Sequence, residues 1–200
     1  MDKMENETNN LIQEMEQYAV DNNVPIMMQD GLEFMCSFIH EHNIKSILEI
    51  GSAIGYSALR MVMLDKDIRV VTIERDKARY QKAKEYIERS KYATQITLLY
   101  GDALEAHIEG EFDMLFIDAA KAQYIKFFER YEGNVKQHGY ILSDNLQFHG
   151  FVEHRDRKMS RNLRQLVGKI ERFVDYLKTR DDYDTQFLED GDGIGISRKK

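Results

Sequence analysis

Two aspartates, an asparagine and a lysine could do chemistry together in this chain. Asp118 lies in "FIDAAKAQY", Asp144 and Asn145 lie in "ILSDN", and Lys121 sits three residues beyond Asp118. Two carboxylates and an amide oxygen make a hard, all-oxygen donor set with room left for water. Mg2+ is the natural guest, with Mn2+ or Ca2+ as substitutes. No histidine or cysteine spacing suggests zinc. A second group of acids lies upstream. Glu49 precedes two glycines in "ILEIGSAIGYSALRM", Glu74 belongs to "TIER", and Asp102 follows Gly101. Turns and caps explain many an Asp or Asn. They explain Glu49 and Glu74 poorly, because glutamate is neither a favoured turn residue nor a good N-cap.

Residues so far apart meet only if the fold gathers them. Short apolar runs predict strands at 46–50, 68–74, 95–100, 112–118 and 139–144. Helical patterns at 55–65, 76–90, 121–132 and 160–178 alternate with them, with Asp76 as an N-cap. Two further helices precede the first strand, one over 5–20 and one running to about His42 with Pro25 in its first turn. The tail reads as two strands, 183–189 and 193–199, joined by the turn "DGDG". The expected architecture is α/β: a mostly parallel seven-stranded sheet with an antiparallel edge hairpin, helices on both faces, and extra N-terminal helices. Each parallel strand then brings a carboxylate to one rim, the carboxyl-end rim where open α/β sheets bind ligands.

The chain has 200 residues, 42% apolar and 32% charged, which suits a single domain over 1–200 with the 1–43 helices capping the site. No apolar run approaches the roughly 20 residues that span a bilayer. The polar, acidic first residues resemble neither a signal nor a transit peptide, and Cys36 is the single cysteine, so a reducing cytoplasm is the expected setting. The net charge of −7 argues against a nucleic-acid partner. Residues 151–180 differ: nine Lys or Arg stand against four Asp or Glu, a local +5 that leaves −12 elsewhere.

The glycine motif narrows the ligand. A dinucleotide fingerprint needs a third glycine, and a phosphate loop ends in Gly-Lys-Ser/Thr. Neither is present, and a carboxylate rim repels phosphate. Glu74, 23 residues past Gly51, is placed to accept ribose hydroxyls. A ligand with a ribose, no phosphate and a positive charge fits, and S-adenosylmethionine has all three properties.

"LEIGSAIGYSALRM", "TIER", "FIDAAKAQY" and "ILSDN" together resemble the metal-dependent class I O-methyltransferases of the catechol and caffeoyl-CoA type, which have a Rossmann-like fold. Within that group the chain is most similar to the bacterial tRNA 5-hydroxyuridine methyltransferases. The resemblance runs from about Val24 to the C-terminal "GDGIGISRKK". It implies that Glu49 and the backbone at Gly51 hold the methionine end of S-adenosylmethionine. Ser57 would contact its carboxylate, Glu74 the ribose, Asp102 and the Ala103 backbone the adenine edge, and Met28 would close over the methionine part. Asp118, Asp144 and Asn145 would ligate the metal, Asp118 also lying near the donor, and Lys121 would be the catalytic base or an oxyanion partner. A homodimer is also implied.

Metal-assisted methyl transfer calls for an acceptor with two adjacent oxygens. Both a catechol and 5-hydroxyuridine have them. The resemblance implies the tRNA wobble position as the target; Arg157, Lys158, Arg161 and Arg164 suit phosphates of an anticodon loop, and Gln147, Phe148 and His149 could line the pocket. Basic residues also coat solvated helices. A small phenolic acceptor, and a non-catalytic S-adenosylmethionine-binding module, remain alternatives.

Overall fold

The computed structural model describes residues 3–146, 160–189 and 192–200. Two helices come first, α1 (Lys3–Asn22) and α2 (Gln29–Glu41). Then strand and helix alternate: β1 (Ser46–Ile50), α3 (Tyr56–Val62), β2 (Arg69–Glu74), α4 (Lys77–Arg89), β3 (Ile96–Tyr100), β4 (Phe112–Ile117), α5 (Tyr124–Tyr131), β5 (Val135–Ser143) and α6 (Arg161–Lys178). The chain closes with β6 (Tyr183–Leu188) and β7 (Ile194–Lys199). The seven strands form one sheet in the order β3-β2-β1-β4-β5-β7-β6. β1 to β5 pair in parallel, while β7 is antiparallel to both β5 and β6, so the expected mixed sheet is what forms.

Strand alternation builds two cores. Ile47, Val70, Met114 and Phe116 point into the layer holding α1 to α4. Leu48, Ile50, Leu115 and Ile117 point the other way, among Phe128 of α5 and Ile170 and Phe173 of α6. Both faces are therefore dry, which is why these strands read as continuous apolar runs. The helices carry their own signals. Asp76 caps α4 by accepting the Arg79 backbone N–H at 2.9 Å, as its position suggests. Ser160 caps α6 through the Leu163 N–H at 3.2 Å.

Two details depart from the sequence reading. Pro25 is not in a helical turn: α2 starts at Gln29, with Met28 extended at its N-cap position. Residues 24–28 run as irregular chain that buries Met27 and lines the cavity described below, so packing overrides the preference of proline for a first turn. β5 begins at Val135 rather than 139. Its pairing with β4 jumps from Phe112↔Val135 to Met114↔Tyr140, an irregularity that places His138 at φ 63°.

α1 packs on the outer face of the α3–α4 layer. Leu11, Ile12, Met15 and Ala19 are buried, Glu16 accepts the Tyr56 hydroxyl at 2.6 Å, and Arg89 pairs with Glu14 at 2.5 Å. Of the 1–43 region, the stretch from Pro25 to Met28 and Gly31 reaches the cavity. Among the described residues no helix is long and apolar enough to cross a membrane.

Candidate active site

Strand order reverses between β1 and β4, since β1 leads outward to β2 and β3 while β4 leads the other way to β5. A cavity of about 490 Å3 opens there at the carboxyl ends of the strands. Its walls carry Gly51, Glu74, Asp102, Ala103, Asp118, Lys121, Asp144, Asn145 and Met28, nine of the residues singled out in the sequence.

The turn after β1 is possible only with glycine. Gly51 has φ +99°, and a Cβ there would lie 2.2 Å from the Asp118 carbonyl oxygen. Its N–H and that of Ser52 both donate to the Ile73 carbonyl, at 3.0 and 3.3 Å, which holds the loop against β2. Gly55, at φ +82°, sets the entry to α3.

Glu74 ties this loop to the next strand. One carboxylate oxygen accepts the Ala53 N–H at 2.8 Å and the other accepts the Asp76 N–H at 2.8 Å. Each oxygen keeps a further lone pair. Asp102 accepts the Leu104 N–H at 2.9 Å, and the Arg75 guanidinium lies 4.0 Å from its other oxygen. The Tyr131 hydroxyl donates to the Ala103 carbonyl and fixes that backbone.

Glu49 and Ser57 are buried. They do not line the cavity; they bond to each other. Strand alternation explains it. Ile50 and Gly51 reach the cavity, while Glu49 points into the α3 layer, fully buried. Ser57 donates to one carboxylate oxygen and Thr72 to the other, each at 2.5 Å. Burial pushes the Glu49 carboxyl up to about 7; the two hydroxyls pull it down, and the charges of Asp118 and Glu74 push it further up.

The opposite end of the cavity holds the acids from β4 and β5. The Asp118 N–H donates to the Ile50 carbonyl at 3.1 Å and the Asp144 N–H to the Ile117 carbonyl at 3.2 Å, so neighbouring strands set both residues at one rim. The buried Tyr124 hydroxyl donates to the Asp144 carbonyl at 3.0 Å. Asn145 adopts φ 63°, which turns its amide toward both acids: Nδ2 is 2.6 Å from Asp144 Oδ2 and 3.5 Å from Asp118 Oδ1. Asp144 is 4% exposed, and its Oδ1 is buried with no hydrogen-bond partner. Burial and the charge of Asp118 push Asp144 up to about 7, against the pull of the Asn145 backbone and Lys121. Burial also raises Asp118, and the Lys121 ammonium opposes it.

A buried carboxylate oxygen without a donor, beside a second acid and an amide, fits a hard divalent cation. Among the described residues no three His, Cys, Asp or Glu side chains converge closely enough to hold a metal by themselves. Two carboxylates and an amide meet here, with the Asn145 NH2 turned toward the acids.

Arg161 and Arg164 are exposed at the start of α6. Gln147, Phe148, His149, Arg157 and Lys158 lie outside the described residues. Three charged contributors to the cavity are not among the residues the sequence singles out. Arg75 and Arg79 flank its Glu74–Asp102 end, and Asp192 joins the acids at the other. Asp192 was concealed in a turn motif; the signal available was that β7 must return beside a strand ending at the same rim.

Comparison with known proteins agrees with this geometry. A family model described as O-methyltransferase matches residues 2–200. An Arabidopsis thaliana protein described as a candidate caffeoyl-CoA O-methyltransferase is 30% identical over 176 residues, covering 85% of this chain and 76% of its own. A solved Staphylococcus aureus structure, also described as a candidate caffeoyl-CoA O-methyltransferase, superposes with TM-score 0.90 at 39% identity, covering 94% of this chain and 92% of that one. An O-methyltransferase from Bacillus cereus in complex with SAH shares the fold with TM-score 0.81 at 24% identity, over 96% of this chain and 91% of its own.

Proposed function

The chain belongs to the O-methyltransferase family, and from that premise we propose that it moves the methyl group of S-adenosylmethionine onto one oxygen of an acceptor bearing two adjacent oxygens. The observation that carries this reading is the orphaned Asp144 Oδ1 beside Asp118, Asn145 and Lys121, at one end of a cavity whose other end is built around Glu74 and Asp102. The SAH in the Bacillus cereus neighbour supports the donor, since SAH is what S-adenosylmethionine leaves after losing its methyl.

The roles follow from position. Glu74 accepts the ribose hydroxyls with the lone pairs its two backbone donors leave open. Asp102 and the Ala103 backbone meet the adenine edge. The bare backbone of Gly51, with Met28 opposite, encloses the methionine part. Glu49 acts through the loop, as Ser57 and Thr72 lock its carboxylate beneath Gly51. Asp118, Asp144 and Asn145 would hold Mg2+, or Mn2+ or Ca2+ in its place. When bound, the cation supplies Lewis acidity that lowers the pKa of a coordinated hydroxyl and fixes its position. Lys121 Nζ would stabilise the resulting oxyanion by charge as an ammonium, or accept the hydroxyl proton in its neutral form. Cavity walls that hold donor and acceptor in line supply a large further share of the acceleration.

The Arabidopsis and Staphylococcus relatives, described as caffeoyl-CoA O-methyltransferases, favour a phenolic acceptor of the caffeoyl kind. A second reading, 5-hydroxyuridine at the tRNA wobble position, is favoured by the exposed arginines at the start of α6. One experiment separates them. The purified protein is given labelled S-adenosylmethionine and Mg2+ with either a catechol-type phenol or tRNA carrying 5-hydroxyuridine. On a phenol, turnover survives the double change Arg161→Glu, Arg164→Glu. On tRNA, that change abolishes turnover, and binding weakens steeply with salt. Absence of transfer to either acceptor refutes the proposal.

A further inference from the structure

We propose that Glu16 of α1 is a positioning residue of the donor loop: through Tyr56 it holds residues 51–55 in the shape that receives the methionine part of S-adenosylmethionine. This rests on the donor reading above. The loop is costly to keep in that shape. Gly51, Ala53 and Gly55 lie at φ +99°, +44° and +82°. Ala53 carries a Cβ, so its left-handed backbone is strained, and such strain persists only where neighbours hold it. The Glu74 carboxylate does so on one side, accepting the Ala53 N–H at 2.8 Å. On the other side the loop runs straight into α3, which is seven residues long and has no side-chain cap at Gly55. A helix that short, without a cap, does not fix its own first turn.

Tyr56, the first residue of α3, supplies the missing hold. Its side chain is buried, and its hydroxyl donates to Glu16 Oε1 at 2.6 Å. Arg60 Nη1 lies 3.3 Å from the same hydroxyl oxygen and donates to it. Burial and the bond to Glu16 push the hydroxyl up to about 12, so at neutral pH it keeps its proton and stays a donor. The next residue, Ser57, donates to the buried Glu49 on β1. The first turn of α3 is thereby pinned from two elements, by β1 through Ser57 and by α1 through Tyr56. α1 itself is seated by Leu11, Ile12, Met15 and Ala19. A second polar tie, Glu14 to Arg89 at 2.5 Å, joins α1 to the last residue of α4 instead.

The test is calorimetric titration of SAH into the whole chain. Glu16→Ala and Tyr56→Phe should each weaken SAH binding about fivefold or more. The double variant should bind no worse than either single one, because both remove the same bond. Glu16→Gln, which keeps an acceptor oxygen for the hydroxyl, should stay within about twofold of wild type. Glu14→Ala is the control: it removes the tie to α4 and should leave SAH affinity unchanged. Wild-type affinity in Glu16→Ala overturns the inference and leaves the donor reading standing. Equal losses in Glu14→Ala and Glu16→Ala overturn it too, since the effect then belongs to the docking of α1 as a whole. If Tyr56→Phe does not fold, the comparison of Glu16→Ala with Glu16→Gln decides. If the wild type binds no SAH, the donor reading itself falls.

Discussion

Replacing Glu49 with glutamine isolates the energetic consequence of a carboxyl group sealed inside the sheet. Glu49 is fully buried, and its pKa is pushed from an ordinary 4.5 up to about 7, chiefly by burial. Between those two values the folded protein holds a proton that the unfolded chain has released. Stability contributed by this group is therefore full at low pH and is lost as pH rises through the window. At about 1.4 kcal/mol per pH unit between the two titrations, the total loss is on the order of 3 kcal/mol, of which about 2.5 kcal/mol falls between pH 5 and pH 8. Glutamine has no proton to release. It keeps one acceptor oxygen for one hydroxyl and offers its NH2 to the other, so the contacts with Ser57 and Thr72 can be re-formed. The assay is urea unfolding of both proteins at pH 5 and pH 8, in EDTA so that cation binding does not enter. Wild type should lose about 2.5 kcal/mol more than Glu49→Gln across that interval. Parallel pH dependences, differing by less than about 0.5 kcal/mol, would show that the buried carboxyl does not titrate as its surroundings require.

Three other substitutions probe the donor end and the rim. Gly51→Ala drives a Cβ to 2.2 Å from the Asp118 carbonyl at a positive φ; it should destabilise by about 3 kcal/mol or more on thermal unfolding, and weaken SAH binding in calorimetry. Glu74→Gln replaces an acceptor-only group with one that also donates, at the point where two backbone N–H groups converge and where the ribose is proposed to bind. SAH affinity should fall about 10–100-fold, and an unchanged affinity would remove Glu74 from the donor site. Tyr124→Phe deletes the hydroxyl that holds the Asp144 carbonyl at 3.0 Å; denaturant unfolding should show a loss of about 1–2 kcal/mol.

Much of this was legible before any coordinates. β-branched and apolar runs of strand length, separated by helix-period stretches, gave the alternation, and alternation predicts a parallel sheet with its ligand rim. The rim acids Glu74, Asp102, Asp118 and Asp144 could then be picked out because each ends or follows a strand. Where the reading strayed, the missing information was three-dimensional. The partners of Glu49 were not legible: the alternation of strand side chains turns it toward Ser57 and Thr72. Pro25 looked like a helix start, yet burying Met27 and lining the cavity keeps that segment irregular. Asp192 stayed hidden because local pattern says "turn". Only the insertion of β7 between β5 and β6 brings that turn to the acidic rim.

A cation held by Asp118, Asp144 and Asn145 would select acceptors with two adjacent oxygens. The most direct test measures methyl transfer from labelled S-adenosylmethionine by wild type and Asp144→Ala, with Mg2+ or with EDTA. Each reaction is run with a vicinal dihydroxy acceptor and with its monohydroxy analogue. The prediction is transfer only by wild type, only with Mg2+, and only to the vicinal acceptor. Undiminished transfer by Asp144→Ala in EDTA, or equal transfer to the monohydroxy analogue, would contradict it.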